Sequence, residues 1–144
     1  MTAKEVQREL GVLFEIVDSV GVITLNRSTA YNAINIALGE SLRDAVIRCD
    51  EDPTIRAVLI TGQGPAFCSG GDVRQMREAV AADGHAGKFL KTLTISLHAI
   101  IGTAIHMPKP VMTAVNGAAA GAGLSLALVG DLILAAEDAR RCYN

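Results

Sequence analysis

The chain has 144 residues, of which 50% are hydrophobic and 19% charged, and its mean hydropathy is +0.34. This length is enough for one domain with a hydrophobic core, and so apolar a composition predicts a chain that is buried against other subunits or belongs to a larger fold. The net charge of −2 and the lack of a basic run exclude a nucleic-acid-binding protein of the usual basic type.

The cysteines and the N-terminus indicate a cytoplasmic protein. Cys49, Cys68 and Cys142 are far apart and form no C-x-x-C pair, and such an odd, scattered set is typical of a reducing compartment rather than of a disulfide framework. The first ten residues contain no apolar segment of the kind found in secretory signals. We expect a single core domain over residues 1–144, with a flexible start over residues 1–11 that is frayed or weakly helical.

A β-hairpin is predicted next. Leu13–Asp18 alternates apolar and polar residues, Ser19–Gly21 is a turn sequence, and Val22–Leu25 is an apolar run. Residues 26–32 (NRSTAYN) are then expected to form a polar loop.

An amphipathic helix is predicted from Ile36 to Asp50. Its apolar residues recur at helical spacing, Asn35 can cap its first turn, and Asp52–Pro53 is expected to end it. The face predicted to be buried consists of Leu38, Leu42, Ala45, Val46 and Cys49.

The strand Arg56–Thr61 is a continuous apolar run, which after a helix favours a central strand of a parallel sheet. A glycine-containing loop follows over residues 62–72. Asp72 and Gln75 have the spacing of a capping box and therefore predict a helix over Val73–Ala82.

A longer helix is predicted over Lys88–His106, and the sequence MPKP at 107–110 is expected to end it. Apolar residues at helical spacing predict the stripe that this helix buries. They are Leu90, Leu93, Leu97, Ile100, Ile101 and Ala104.

The segment 109–136 organises the rest of the chain. It is predicted to contain a buried strand (Val111–Val115), a turn at Asn116–Gly117, a loop of small residues, a short helix from about Leu124 and a second buried strand (Leu132–Ala135). Small residues in the loop would let a ligand or another backbone come close to the main chain.

The same segment has a second interpretation, a transmembrane helix. Residues 111–130 carry no charge, and Gly117 and Gly121 form a G-x-x-x-G pattern of the kind that packs membrane helices. Its alanine- and glycine-rich composition, the turn at Asn116–Gly117 and the lack of flanking aromatic residues favour the strand–loop–helix interpretation.

Twice in this sequence a buried strand ends in a small-residue loop that opens a helix, at 57–73 and at 111–124. In parallel sheets, ligands bind beyond the carboxyl ends of the strands. Two such loops, if adjacent, would direct backbone N–H groups into one crevice that can hold an oxyanion or a polarised carbonyl. The alternative is that both loops are merely tight turns.

Other catalytic patterns are weak or missing. The sequence contains neither a phosphate-binding loop nor G-x-G-x-x-G, and His85, His98 and His106 lack metal-ligand spacing. Cys68 is either a nucleophile or, the interpretation that we favour, a small apolar residue that packs the loop. Asp72 is either an acid or base or, again favoured, the N-cap of the helix that follows it.

Several segments, taken together and in order, match one family pattern. They are Ile23–Arg27 with Tyr31–Ala33, Asp52–Pro53 with Arg56–Gly62, Phe67–Val73, Lys109–Val111, Val115–Gly117, Ala119–Gly123 and Asp131. On these motifs the chain resembles the enoyl-CoA hydratase/isomerase (crotonase) superfamily over nearly all of its length after residue 12.

The resemblance implies an α/β fold, a crotonase-like spiral of ββα repeats that is incomplete at the C-terminus, because family members continue well beyond residue 144. It implies homotrimers, often paired into hexamers, and an acyl-CoA thioester of fatty acid metabolism as substrate. Coenzyme A enters only as part of that substrate, so we expect no separate cofactor, no metal, no nucleic acid and no membrane.

The resemblance also implies the site residues. The backbone N–H groups of Gly71 and Ala122 would form an oxyanion hole for the thioester carbonyl. Ser125 stands where family hydratases carry a glutamate, and a second hydratase glutamate would fall just past Asn144. The substrate-binding residues that the resemblance implies are Thr29, Ala30, Tyr31, Ser69, Gly71, Asp72, Val73, Ala118 and Ala122.

Two functions remain open. The first is an acyl-CoA enzyme of the hydratase/isomerase type that stabilises a thioester enolate. A hydroxyl is no general base near neutral pH without its own activating base, so Ser125 favours double-bond isomerisation, or another reaction with one downstream carboxylate, over hydration by two glutamates. The alternative is a non-catalytic acyl-CoA-binding or assembly subunit that lacks the catalytic carboxylates.

Overall fold

The computed structural model describes residues 7–9, 11–139 and 141–142. They form strands and helices joined by short connections, with a single turn of 3-10 helix at Ser28–Ala30. The strands are β1 (Gln7–Glu9), β2 (Val12–Val17), β3 (Val20–Leu25), β4 (Ala57–Gly62), β5 (Ala66–Cys68), β6 (Val111–Val115), β7 (Ala118–Ala120), β8 (Leu132–Ala135) and β9 (Arg141–Cys142). The helices are α1 (Ile36–Glu51), α2 (Val73–Asp83), α3 (Gly87–His106) and α4 (Ala122–Ala127).

The strands form two sheets. The larger has the order β1-β2-β3-β4-β6-β8, in which β1, β2 and β3 pair antiparallel and β3, β4, β6 and β8 pair parallel. The smaller sheet is parallel and has the order β5-β7-β9. After the initial hairpin, each turn of the chain adds one strand to the larger sheet and one to the smaller, and the first two such turns then add helix. The structure therefore has the predicted mixed α/β spiral.

The predicted hairpin is confirmed, with its turn placed slightly earlier than expected. Asp18 and Ser19 form a two-residue turn with φ of 48° and 67°, the left-handed conformations that suit the twist of tight hairpins. The expected weak helix at the N-terminus is wrong for Gln7–Glu9, which pairs antiparallel with β2. Residues 1–6 and 10 lie outside the described residues.

Helix α1 and the central strand are also confirmed. The side chain of Asn35 accepts a hydrogen bond from the amide of Leu38 at 2.8 Å, so it caps α1 as predicted. The face predicted to be buried is buried, and it packs against β2 and β3, while α3 packs against α1. Strand β4 lies between β3 and β6 and is parallel to both.

Helix α3 buries a slightly different stripe from the predicted one. Leu90 is 42% exposed, and the buried position at this end belongs to its neighbour Phe89. The stripe runs through Phe89, Leu93, Ser96, Ile100 and Ala104, at steps of three or four residues that a helix places on one side. By length and composition alone α3 is apolar enough to cross a membrane, but this stripe packs in the protein core.

The organising segment contains one strand more than expected. Strand β6 and the turn after it are confirmed, but the small-residue loop includes β7, and α4 begins at Ala122 rather than near Leu124. Residues 111–130 are thus two strands and a short helix, so the transmembrane-helix interpretation is wrong. Strand β8 exists, but its predicted burial is also wrong. Among the described residues β8 is the last strand of the larger sheet, and Leu132 and Leu134 are 60% and 59% exposed.

Candidate functional site

Two loops that the sequence singles out lie side by side. Strands β5 and β7 are parallel neighbours, with Ala66 opposite Ala118, so the segments that follow them are adjacent. A Cβ atom built on Gly70 would lie 3.0 Å from the carbonyl oxygen of Ala120 and 3.6 Å from the amide nitrogen of Ala122. The condition set from the sequence, that the two loops are adjacent, is therefore met.

Glycines make this approach possible. A Cβ atom on Gly117 would lie 2.1 Å from the carbonyl oxygen of Pro65, and one on Gly123 would lie 2.1 Å from the carbonyl oxygen of Cys68. Backbone cannot move aside as a flexible side chain can, so any side chain at either position would separate the two loops. The sequence prediction that small residues allow a second backbone to come close is right, and the second backbone is the β5 segment of the same chain.

The amide of Gly71 is directed by a short parallel bridge to Ile34. The amide of Ile34 donates to the carbonyl oxygen of Gly70 at 2.7 Å, and the amide of Asp72 donates to the carbonyl oxygen of Ile34 at 3.0 Å. Because successive peptide groups of an extended segment point to opposite sides, the N–H of Gly71 points away from Ile34.

The second amide of interest belongs to Ala122, the first residue of α4. An N–H group at this position has no acceptor within its own helix. Among residues 11–139, the structure pairs neither the N–H of Ala122 nor that of Gly71 with an acceptor. Two backbone donors are thus available in adjacent loops.

A third loop, residues 26–35, follows β3 at the same edge of the sheet and is fixed to the first two. Asn32 is fully buried, and its amide group donates to the carbonyl oxygens of Gln63 at 3.0 Å and Ala66 at 2.9 Å. The carbonyl oxygen of Tyr31 accepts from the amide of Ser69 at 3.0 Å. Thus the predicted residues Thr29–Tyr31 and Ser69 come together in the structure.

Asp72 is the N-cap of α2, as favoured from the sequence. Its carboxylate accepts from the amides of Arg74 and Gln75 at 3.1 and 3.2 Å, and from the guanidinium of Arg27 at 3.0 Å. Burial alone would raise the pKa of Asp72, but the amide of Gln75 and the guanidinium of Arg27 outweigh burial and hold it below its ordinary value. Such a carboxylate is a poor proton acceptor near neutral pH.

The capping box itself is not closed. The side chain of Gln75 does not return to Asp72; its oxygen accepts from the amide of Ile36 at 3.1 Å. This contact ties the start of α2 to the start of α1, which the local spacing of the two residues could not reveal.

Cys68 packs the site rather than reacting in it. Its side chain is fully buried, and burial raises the pKa of this thiol to about 11, although the amide of Gly70 partly opposes the increase. The thiolate needed for nucleophilic attack is therefore scarce at neutral pH. The favoured interpretation, a small apolar residue beneath the loop, is confirmed.

The remaining predicted residues lie around the same loops. Ser125 is exposed on α4, one turn after Ala122, and Ala118 is a partly buried residue of β7. Val73, the first residue of α2, is 57% exposed. Within the described part of the chain, no three His, Cys, Asp or Glu residues are grouped as they would be around a metal ion.

The hydrogen bonds of several residues that shape the site were not predicted from the sequence. Asn116, which follows β6, accepts from the amide of Gly62 at 3.1 Å and donates to the carbonyl oxygen of Gly64 at 2.9 Å. Asn32 and Arg27 hold the third loop in place in the same way, since Asn32 donates to the carbonyl oxygen of Gln63 and Arg27 donates to the carboxylate of Asp72. The backbone amide of Arg27 also donates to the side-chain oxygen of Asn32. Asn116 directly follows β6 and Arg27 lies two residues after β3, whereas Asn32 lies inside the loop. The carbonyl and carboxylate groups that bind them are distant in sequence.

Comparisons with known proteins agree on one family. The family profile for enoyl-CoA hydratase/isomerase matches residues 15–144. The chain is 35% identical to 1,2-epoxyphenylacetyl-CoA isomerase of Escherichia coli K12 over 90% of its length and 48% of that protein. It is 39% identical to the mitochondrial enoyl-CoA hydratase of Pongo abelii over 85% of its length and 40% of that protein. The chain thus spans about half the length of these curated relatives.

Solved structures show the same relationship. An enoyl-CoA hydratase of Mycobacterium smegmatis superposes with a TM-score of 0.83 at 31% identity, over 93% of this chain and 51% of that one. PA4980 of Pseudomonas aeruginosa superposes with a TM-score of 0.84 at 34% identity, over 94% of this chain and 57% of that one. The fold expected from the sequence is therefore confirmed.

Proposed function

The chain belongs to the enoyl-CoA hydratase/isomerase family, and from this premise we propose that it binds an acyl-CoA thioester and stabilises the thioester enolate with the N–H groups of Gly71 and Ala122. When a base removes the α-proton, negative charge develops on the thioester oxygen. Two fixed donors aimed at that oxygen stabilise the charge without reorganising during the reaction. The observation that carries the proposal is the pair of available backbone donors in adjacent loops.

The surroundings of the two donors support a thioester ligand. The loop containing Thr29–Tyr31 and the segment from Ser69 to Val73 are joined by the hydrogen bond between Tyr31 and Ser69, and together they offer an exposed rim. We assign the coenzyme A part of the substrate to this rim, with Asp72 contributing through its backbone because its carboxylate caps α2. Ala118 lies at the β7 side of the crevice.

The nature of Ser125 narrows the reaction that we propose. Its exposed hydroxyl has no activating base among its described contacts, so it cannot serve as the general base of a hydration. We therefore favour double-bond isomerisation, or a related reaction, with the carboxylate supplied by a part of the protein other than residues 1–144. A homotrimeric or hexameric cytoplasmic protein is part of the same proposal.

The same serine also supports a second candidate function, a non-catalytic acyl-CoA-binding subunit. Such a subunit would bind thioesters without turning them over. Assays of both hydration and isomerisation with the full-length protein separate the two candidates, because only the enzyme consumes the thioester that it binds.

The first experiment tests the donors themselves. Ala122→Pro removes one N–H while fitting the first position of a helix, where proline is favoured, and Ala122→Ser adds a side chain of similar reach but keeps the N–H. Calorimetric titration with acetoacetyl-CoA, whose enolate mimics the proposed charge, and with free CoA should show tighter binding of the thioester by the wild type and by Ala122→Ser. Ala122→Pro should lose that preference, and turnover in the full-length protein should fall roughly 10²–10³-fold. Equal binding of both ligands by the wild type would contradict the proposal.

A further inference from the structure

The direction of the Gly71 N–H is fixed from outside its own loop. The bridge to Ile34 holds the peptide groups on both sides of Gly71, through the carbonyl oxygen of Gly70 and the amide of Asp72. Rotation of the Gly71 amide would break at least one of these two hydrogen bonds. Any contact that holds the segments around Ile34 and Gly71 together therefore determines the direction of the Gly71 N–H.

Arg27 spans this bridge. One end of its guanidinium donates to the carbonyl oxygen of Ala33, the residue before Ile34, and the other donates to the carboxylate of Asp72, the residue after Gly71, at 3.0 Å. The side chain is 25% exposed, and its stem lies against Gly11, where a Cβ atom would be 3.0 Å from the Cγ and Cδ atoms of Arg27.

The guanidinium suits this bridging task for a geometric reason. It is planar and presents several donors in a fixed fork, so one group can hold two acceptors on two segments at a set separation. A lysine ammonium would carry the same charge, but all its N–H donors are on one nitrogen, so it could not reproduce the fixed spacing of the two guanidinium nitrogens that hold Ala33 and Asp72.

We propose that Arg27 is a positioning residue, which orients the Gly71 N–H toward the developing oxyanion by holding Ala33 and Asp72 on either side of the Ile34–Gly71 bridge. This inference rests on the proposed function, since it assigns Arg27 a role only if Gly71 is an oxyanion donor. Arg27 itself does not contact the thioester. It affects the Gly71 N–H through its hydrogen bonds to Ala33 and Asp72.

The test measures stabilisation of the enolate separately from binding of the nucleotide. The readouts are the ratio of the dissociation constants of free CoA and acetoacetyl-CoA and the near-ultraviolet absorbance of the bound enolate. Arg27→Gln should lower the ratio roughly tenfold, less than the 10²–10³-fold loss in kcat that removal of a whole oxyanion donor causes, and should weaken the enolate band. Arg27→Lys should give intermediate values.

Two further variants separate positioning from folding. Asp72→Asn breaks the ion pair but keeps a good N-cap for α2, since Asn and Asp cap equally well, so it tests the Arg27 contact in a folded chain. Asp44→Asn breaks the exposed Arg43–Asp44 pair on α1 and serves as the matched control, with no change in the ratio expected.

The outcomes distinguish this inference from the proposed function. If the wild type prefers acetoacetyl-CoA, and Arg27→Gln and Asp72→Asn both keep that preference, Arg27 has no positioning role but the oxyanion hole stands. If both variants weaken the two ligands equally, Arg27 only maintains the fold and the inference is wrong. A wild type without any preference overturns the proposed function itself.

Discussion

At the scale of single residues, the site depends on glycines that another backbone touches. Gly123→Ala would place a Cβ atom 2.1 Å from the carbonyl oxygen of Cys68. We expect a loss of about 1–3 kcal/mol or more in the free energy of unfolding, because the clash is with backbone rather than with a flexible side chain. Urea unfolding followed by circular dichroism measures this loss.

The matched control is Gly102→Ala in helix α3, where an added Cβ atom would meet nothing within 4 Å. Alanine has the higher helix propensity, so this variant should be stabilised by about 0.8–1 kcal/mol. Equal effects of the two substitutions would show that close approach is not what the glycine at 123 provides.

Residue roles were predictable from the sequence where they depend on near neighbours. Asn35 and Asp72 cap the helices that begin beside them, and Cys68 behaves as its apolar surroundings require. The role of Arg27 was not predictable, because its carboxylate partner is 45 residues away and only the spiral brings the two together.

At the scale of elements, the start of α2 should respond to acid. The pKa of Asp72 lies below its ordinary value of 3.8, so its carboxylate stabilises the folded state fully above that value, and the contribution is lost as the pH falls through the lower folded pKa. The difference in unfolding free energy between the wild type and Asp72→Asn should therefore be constant near neutral pH and shrink from about pH 4 downward. Urea titrations across this range measure it. A difference that is the same at acid and neutral pH would contradict the assignment.

Most element boundaries were predictable because their signals are local. The capping residues mark where α1 and α2 begin, and the MPKP sequence ends α3. Strand β7 was missed because it is three alanines, which have little intrinsic tendency to form strands. It is a strand because β5 and β9 lie on either side of it, and no local pattern encodes that pairing.

At the scale of the whole molecule, strand β8 should cause association. It is the last strand of the larger sheet, and Leu132, Ile133 and Leu134 are all exposed, which makes an apolar strand available for pairing. We expect the double variant Leu132→Lys, Leu134→Lys to contain a larger fraction of monomer than the wild type. Sedimentation velocity runs at increasing concentration measure this fraction.

The control places the same charges on another exposed apolar surface. Ile95 and Ile105 of α3 are 59% and 62% exposed, so Ile95→Lys with Ile105→Lys adds the same charge away from β8. Equal effects of the two pairs would attribute the change to net charge. A wild-type chain that is monodisperse and monomeric would show that β8 does not mediate association.

The exposure of β8 could not be predicted from its local sequence. Its four apolar residues are as hydrophobic as those of β4, and both were predicted to be buried. Strand β4 is covered because β3 and β6 flank it and α1 packs nearby, whereas β8 has β6 as its neighbour in the larger sheet and open faces. Position in the sheet, rather than composition, decides the difference.

The spiral separates the parallel strands, whose register is fixed, from the loops that connect them. Each turn adds a parallel strand at a fixed register and delivers its connecting loop to the same edge, so the loops after β3, β4 and β6 meet there. The register of these strands is set by their own ladders, so exposed loop side chains that contact no other backbone can be replaced without changing it. An exposed side chain such as Ser125 can therefore change without altering the backbone N–H groups of Gly71 and Ala122, which no side-chain substitution short of proline removes.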